Sequence, residues 1–177
     1  APWLAVTGTH GKTTTLGMLE AILVAAGRRV AAVGNVGRPI SEAVTDSSVE
    51  VFAVELSSFQ LHYSKSVAPL AAVCLNIADD HLDWHESAVA YRAAKARVYN
   101  RTSGVCLYPA GDVVVENMVR QADLPATART VGFTSSAPAP GQLGVVGDVL
   151  VDRAFTTGSP LALSPGQTLA SINDLAH

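Results

Sequence analysis

Through about its first two-thirds the chain alternates short apolar runs with longer, helix-like stretches. The apolar runs at 3–7, 30–33, 49–56, 70–76 and 104–108 predict strands. Between them, helices are predicted at about 13–26, 87–100 and 113–122, with Gly27 closing the first in the usual position past a helix end. Strands separated by helical crossovers pair in parallel. The expected fold is therefore α/β, a three-layer, mostly parallel sheet with functional loops at the carboxyl ends of its strands.

The pattern changes after Phe133. Residues 135–141 (SSAPAPG) read as a loop, and the runs 143–146 and 149–151 flank Gly147-Asp148, which predicts a hairpin with a tight turn. Residues 156–167 are rich in Thr, Gly, Ser and Pro. A small antiparallel β appendage is expected here, within a single domain spanning 1–177, and no internal repeat is visible.

Composition narrows the class. With 177 residues, 49% of them hydrophobic and only 15% charged, the chain can bury a full core and does not read as disordered. A net charge of −3 disfavours nucleic-acid binding through a basic face, so any phosphate affinity must come from a local loop. Cys74 and Cys106 sit inside apolar runs and read as small buried hydrophobes of a reduced, cytoplasmic protein, with a disulfide between them the weaker reading. No apolar run reaches membrane-span length, and the start lacks a charged leader, so no membrane association is expected.

The strongest local signal is Gly8-Thr9-His10-Gly11-Lys12-Thr13-Thr14, between a predicted strand and a predicted helix. Glycines let backbone N–H groups turn around an anion, Lys12 supplies a point charge, Thr13 a hydroxyl for Mg²⁺, and the helix start adds its dipole. The two glycines are separated by two residues where the usual phosphate loop has four, so this is a shortened variant.

Two strands run into acids. The first ends at Glu55, followed by Leu56-Ser57-Ser58-Phe59-Gln60-Leu61; an acid there commonly holds Mg²⁺ beside a phosphate loop, the plainer alternative being a solvated strand end. The second runs into Asn76-Ile77-Ala78-Asp79-Asp80-His81-Leu82-Asp83-Trp84-His85, an acceptor-rich segment suited to a cation or phosphate. Zinc on His81, Asp83 and His85 is the lesser reading, because no Cys and no H-E-x-x-H helix accompanies them, and His85 reads as a structural hydrogen-bonder. Lys95 shares a helical stripe with Ala88, Tyr91 and Val98, so it either snorkels to solvent or serves the site.

In their order, the phosphate loop, Gly34-Asn35-Val36-Gly37, Glu55 to Leu61, Asn76 with Asp80-His81-Leu82-Asp83, and Tyr91-x-x-Ala94-Lys95 resemble the Mur ligase family over about residues 3–108. The Glu55–Leu61 block resembles the member that adds D-glutamate. The resemblance implies the central ATP-binding domain of a monomeric ligase, whose N- and C-terminal domains lie outside these residues. It implies an ATP-dependent acid–amino-acid ligation of UDP-N-acetylmuramoyl-L-alanine with D-glutamate through an acyl phosphate. Lys12, Lys95 and His81 would be catalytic, with Gly8, Thr9, His10, Gly11, Lys12, Thr13 and Thr14 around the nucleotide. Thr13 and Glu55 would hold one Mg²⁺, His81 a second, and Asn35, Ser57 and Ser58 would contact the precursor. Lys95 matches the family lysine that CO₂ carbamylates, which adds it to the metal set.

Two positions depart from that pattern. His10 stands where Asn is common in the D-glutamate-adding member and His is typical of the L-alanine-adding one; Tyr108-Pro109-Ala110-Gly111-Asp112 replaces a more usual Asn-Ala-Asp-Asp ending. An L-alanine-adding or folate-extending ligase, and a phosphate-loop module that ligates nothing, remain the alternatives.

Overall fold

The computed structural model describes residues 1–155 and 167–171. Within these residues nine strands form one sheet: β1 (Trp3–Thr7), β2 (Val30–Gly34), β3 (Val51–Glu55), β4 (Ala71–Cys74), β5 (Val105–Pro109), β6 (Arg129–Phe133), β7 (Gln142–Val146), β8 (Val149–Asp152) and β9 (Gln167–Ser171). Their spatial order is β2-β3-β1-β4-β5-β6-β7-β8-β9. All pairs from β2 to β7 are parallel, and β7-β8-β9 are antiparallel.

Among the described residues six helices join the strands: α1 (Lys12–Ala25), α2 (Ile40–Ala43), α3 (Ser58–Tyr63), α4 (Leu82–His85), α5 (Ala88–Ala96) and α6 (Val113–Gln121). The two-residue period of the strands divides the core into two layers. Ala5 of β1 packs with Phe52 and Val54 of β3 in a cluster that includes Leu61, Val98, Val115 and Val119. Val6 and Ala53, one residue on, belong to the opposite cluster with Leu16 of α1. A sheet covered on both faces needs a strand that is apolar throughout, and every residue of β3 is buried.

Several boundaries move. The helix expected at 87–100 is regular only over Ala88–Ala96, with Ser87 as its cap: the Ser87 side chain accepts from the Ala90 N–H. Helix α6 starts on Asp112, which accepts from the N–H groups of Val114 and Val115. Strand β6 carries no clear apolar signal, because Arg129 and Thr130 are exposed and Gly132 interrupts the run. The expected hairpin forms, with Leu143 opposite Asp152 and Val146 opposite Val149. This antiparallel appendage continues the main sheet, since Gly132 and Phe133 of β6 pair in parallel with Gln142 and Leu143. Most of the Thr/Gly/Ser/Pro-rich stretch, 156–166, lies outside the described residues. Cys74 and Cys106 are both buried and free, as small hydrophobes.

Candidate active site

Strands β1, β3 and β4 are neighbours and parallel, so the segments that follow them meet at one edge of the sheet. The segment after β1 is a tight turn in which Gly11 adopts φ 81°, a left-handed conformation natural to glycine, before α1 begins. No side chain caps α1. The N–H groups of its first turn, which have no intrahelical partner, are therefore available to an anion.

The turn is held from outside by Asn76. Its side-chain oxygen accepts from the N–H groups of Thr9 (3.1 Å) and His10 (2.9 Å), and its Nδ2 donates to the His10 carbonyl at 3.0 Å. Thr9 Oγ1 accepts from the Ala78 N–H (3.0 Å) and lies 3.0 Å from the Tyr91 hydroxyl. The loop is thus braced by hydrogen bonds from the segment after β4. The backbone donors of Thr9 and His10 are engaged by Asn76, and the side chains of His10 and Thr14 face solvent.

Lys12 Nζ folds back onto its own loop, donating to the carbonyls of Gly8 (3.0 Å) and Thr9 (2.9 Å). One residue on, Thr13 Oγ1 donates to Glu55 Oε2 at 3.0 Å, while Asn35 Nδ2 donates to Glu55 Oε1 at 3.0 Å. Glu55 is only 1% exposed, and among the described residues no basic nitrogen lies in ion-pair reach of it. A buried carboxylate held by neutral donors beside a hydroxyl offers the hard oxygen ligands that Mg²⁺ prefers. Among the described residues no three His, Cys, Asp or Glu side chains converge on a metal position, so further ligands would come from phosphate oxygens and water. Gly34 keeps Asn35 in reach of Glu55: at φ 115°, a Cβ there would sit 2.1 Å from the Glu55 carbonyl oxygen.

Lys95 does not snorkel. It is 2% exposed, its Nζ donates to the Gly8 carbonyl at 2.7 Å and lies 5.1 Å from the centre of the Tyr91 ring. Burial pulls its pKa from 10.5 down to about 8, with nearby Lys12 adding to the fall.

A cavity of about 110 Å³ gathers Lys12, Asn35, Ser57, Ser58, His81 and Lys95. Phe59, Asp80 and Tyr91 complete its lining. His81 sits at the start of α4 in a left-handed conformation, φ 50°, with Nε2 3.4 Å from Asp80 Oδ2 and its ring 5.0 Å from Phe59. Ser57 is the N-cap of α3: its hydroxyl accepts from the Gln60 N–H while its backbone N–H donates to Gln60 Oε1 at 2.9 Å, closing a capping box, and the hydroxyl also donates to Gln60 Oε1. His85 is a buried hydrogen-bonder, with Nε2 2.9 Å from Ser58 Oγ. Of the residues sequence reasoning left without a role, Asn76 clamps the loop, a bond between two segments far apart in sequence that no local pattern announces. Tyr91 could have been found, since it lies on the Lys95 stripe.

Residues 6–150 match the Mur ligase middle domain. The chain is 50% identical over 176 residues to the UDP-N-acetylmuramoylalanine--D-glutamate ligase of Streptomyces coelicolor, covering 99% of this chain and 37% of that protein. It is likewise 50% identical over 162 residues to the ligase of that name from Mycolicibacterium smegmatis, covering 90% of this chain and 31% of the relative. The chain thus spans about a third of the length of these relatives. Among solved structures, the MurF ligase of Thermotoga maritima in complex with ADP superposes with a TM-score of 0.60 at 19% identity, over 85% of this chain and 37% of the other. FolC of E. coli in complex with DHPP and ADP gives 0.55 at 17% identity, over 85% of this chain and 45% of the other. At such identities the structural likeness speaks for the fold alone. On the domain match and the sequence identity together, the chain belongs to the Mur ligase middle-domain family.

Proposed function

We propose that this chain is the ATP-binding central domain of a cytoplasmic, monomeric ligase that joins D-glutamate to UDP-N-acetylmuramoyl-L-alanine. The domains that complete the enzyme lie outside these residues. One observation carries the reading: Lys12, Asn35, Ser58, His81 and Lys95 line a single cavity, with the Thr13–Glu55 pair beside the phosphate loop. The two buried free thiols suit a reducing compartment.

The reaction has two steps. A carboxylate oxygen of the precursor attacks the γ-phosphorus of ATP, the bond to the β-phosphate oxygen breaks, and an acyl phosphate and ADP result. The amine of D-glutamate then attacks the acyl carbon, inorganic phosphate leaves, and the nitrogen gives up a proton. Lys12 releases the Gly8 and Thr9 carbonyls and turns to the transferring phosphoryl group, whose charge it neutralises. The first turn of α1 binds phosphate oxygens with its free N–H groups. Thr13 and Glu55 would hold one Mg²⁺ and His81 a second, and such ions would supply charge stabilisation to the phosphoryl group. Asn35 and Ser58 face the precursor with donors, and Ser57, whose hydroxyl hydrogen goes to Gln60, borders it as a lining residue with only a lone pair to offer.

Lys95 fits a carbamate. Carbamylation needs the neutral amine, which burial favours, and it converts Lys–NH₂ and CO₂ into Lys–NH–COO⁻ with release of one proton. The product would be a carboxylate inside the cavity, an oxygen ligand of the kind Mg²⁺ prefers.

The test is phosphate release from ATP by the full-length polypeptide. Release that requires both the muramoyl-L-alanine precursor and D-glutamate is expected. Release driven by L-alanine or by a folate acceptor would move the assignment to another ligase, and release that ignores every acceptor would favour a nucleotide-binding module.

A further inference from the structure

Behind the cavity sits a buried pair, Ser58 and His85, 2% and 4% exposed. Ser58 Oγ lies 2.9 Å from His85 Nε2 and has no other hydrogen-bond partner among the described residues. The imidazole is walled by rings: Phe59 stacks on it at 5.6 Å and 18°, while Trp84 and Tyr91 meet it at 77° and 71°. His85 Nδ1 is buried without a hydrogen-bond partner among the described residues.

That geometry selects a tautomer. A proton on Nδ1 would bury an N–H donor with nothing to receive it, one of the costlier defects of a protein interior. With the proton on Nε2, Nδ1 turns only a lone pair toward the rings, and Nε2–H donates to Ser58 Oγ. The hydroxyl hydrogen of Ser58 then cannot point at His85. It is left for the cavity, where Ser58 faces the same space as Lys12, His81 and Lys95. Ser57 differs, since its single hydroxyl hydrogen goes to Gln60 Oε1 at 3.1 Å. Of two adjacent serines, only the second has a proton to offer.

We propose that His85 is a positioning residue that locks the Ser58 hydroxyl as a hydrogen-bond donor to an anionic oxygen of the acyl acceptor in this cavity, while Ser57 serves to cap α3. The identity of that acceptor rests on the ligase reading above; the clamp itself rests on the Ser58–His85 geometry.

In the full-length ligase, Ser58→Ala lowers kcat/KM for the muramoyl precursor about tenfold to a hundredfold, the range for a lost hydrogen bond to a charged group. The KM for ATP stays within about twofold of the wild type, because the phosphate loop is held by Asn76 and not by this pair. His85→Phe, which keeps a ring among the rings, shows a similar loss. His85→Gln, whose amide N–H reaches about as far as Nε2–H, restores most of it. The double variant Ser58→Ala/His85→Phe is no worse than Ser58→Ala alone, since both remove one donor. In this chain without substrate, ¹⁵N-histidine NMR shows His85 protonated on Nε2 and bare on Nδ1. Additive losses, wild-type kcat/KM in His85→Phe, no recovery in His85→Gln, or a proton on Nδ1 would each overturn the clamp. The NMR result decides the tautomer even if the wild-type polypeptide fails to turn over the precursor, an outcome that would sink the ligase reading on its own.

Discussion

Lys95→Met separates what this lysine does for the fold from what it does for the site. The side chain is 2% exposed, and burial holds its pKa at about 8 against the ordinary 10.5. That fall means the ammonium form is disfavoured in the folded chain by about 3 kcal/mol. At pH 7 the folded chain nonetheless carries the ammonium and bears that penalty. Methionine fills nearly the same volume without charge, and it orphans nothing nearby. The Gly8 carbonyl still accepts from Lys12, and Thr7 Oγ1 still donates to the Leu56 carbonyl at 2.7 Å. Against the relief stand the lost charged hydrogen bond to Gly8, typically about 1.5 to 3 kcal/mol, and a longer, weaker one at 3.4 Å to Thr7 Oγ1. The expected balance at pH 7 is a gain of about 1 kcal/mol in unfolding free energy.

The pH dependence carries a sign. Between the folded value near 8 and the unfolded value near 10.5, the unfolded chain binds the extra proton, so wild-type stability rises with pH across that window. Below the folded value that contribution is absent. Methionine has no such dependence, so its advantage shrinks from pH 7 to pH 9.5. Urea unfolding of both chains in CO₂-free buffer measures this. A variant destabilised at pH 7 by more than about 1 kcal/mol, or a difference that does not move with pH, would refute the buried-cation argument.

Three further outcomes are expected. Lys12→Ala lowers phosphoryl transfer at least about a hundredfold in the full-length enzyme, while its unfolding free energy stays within about 0.5 kcal/mol, checked by acyl-phosphate formation and urea unfolding on one preparation. Asn76→Ala releases the amides of Thr9 and His10 and raises the Kd for ATP·Mg²⁺ about tenfold, by titration calorimetry on this chain. Lys95→Ala loses activity in the full-length enzyme and regains part of it with acetate or formate; regain with a small amine instead would show that a cation is needed.

Much of the site was legible because its parts are local. The phosphate loop needs only a strand, two glycines, a lysine and a helix in sequence, and Glu55 follows an apolar run that could only be a buried strand. The stripe through Tyr91 and Lys95 put both on one helix face, although sequence alone left the lysine free to snorkel. What was not legible depends on pairs distant in the chain. Asn76 reaches the loop across 66 residues, and Ser58 meets His85 across 27. Ser57 illustrates a competing use: Ser-x-x-Gln is a helix-start signature, and the cap occupies a hydroxyl that the motif alone suggested for a ligand. Strand β6 escaped notice because a strand beside the antiparallel end of the sheet can tolerate an exposed Arg129 and Thr130. Pairing partners, not its own hydrophobicity, make it a strand.

If a carboxylate is phosphorylated in this cavity, one isotope measurement shows it directly. The muramoyl-L-alanine precursor is labelled with ¹⁸O in its carboxylate and turned over by the full-length polypeptide with ATP and D-glutamate. An acyl phosphate carries one carboxylate oxygen to phosphorus, so the released inorganic phosphate should contain one ¹⁸O per molecule. Amide formation with unlabelled phosphate, or ATP consumption that leaves the precursor untouched, would rule out an acyl phosphate.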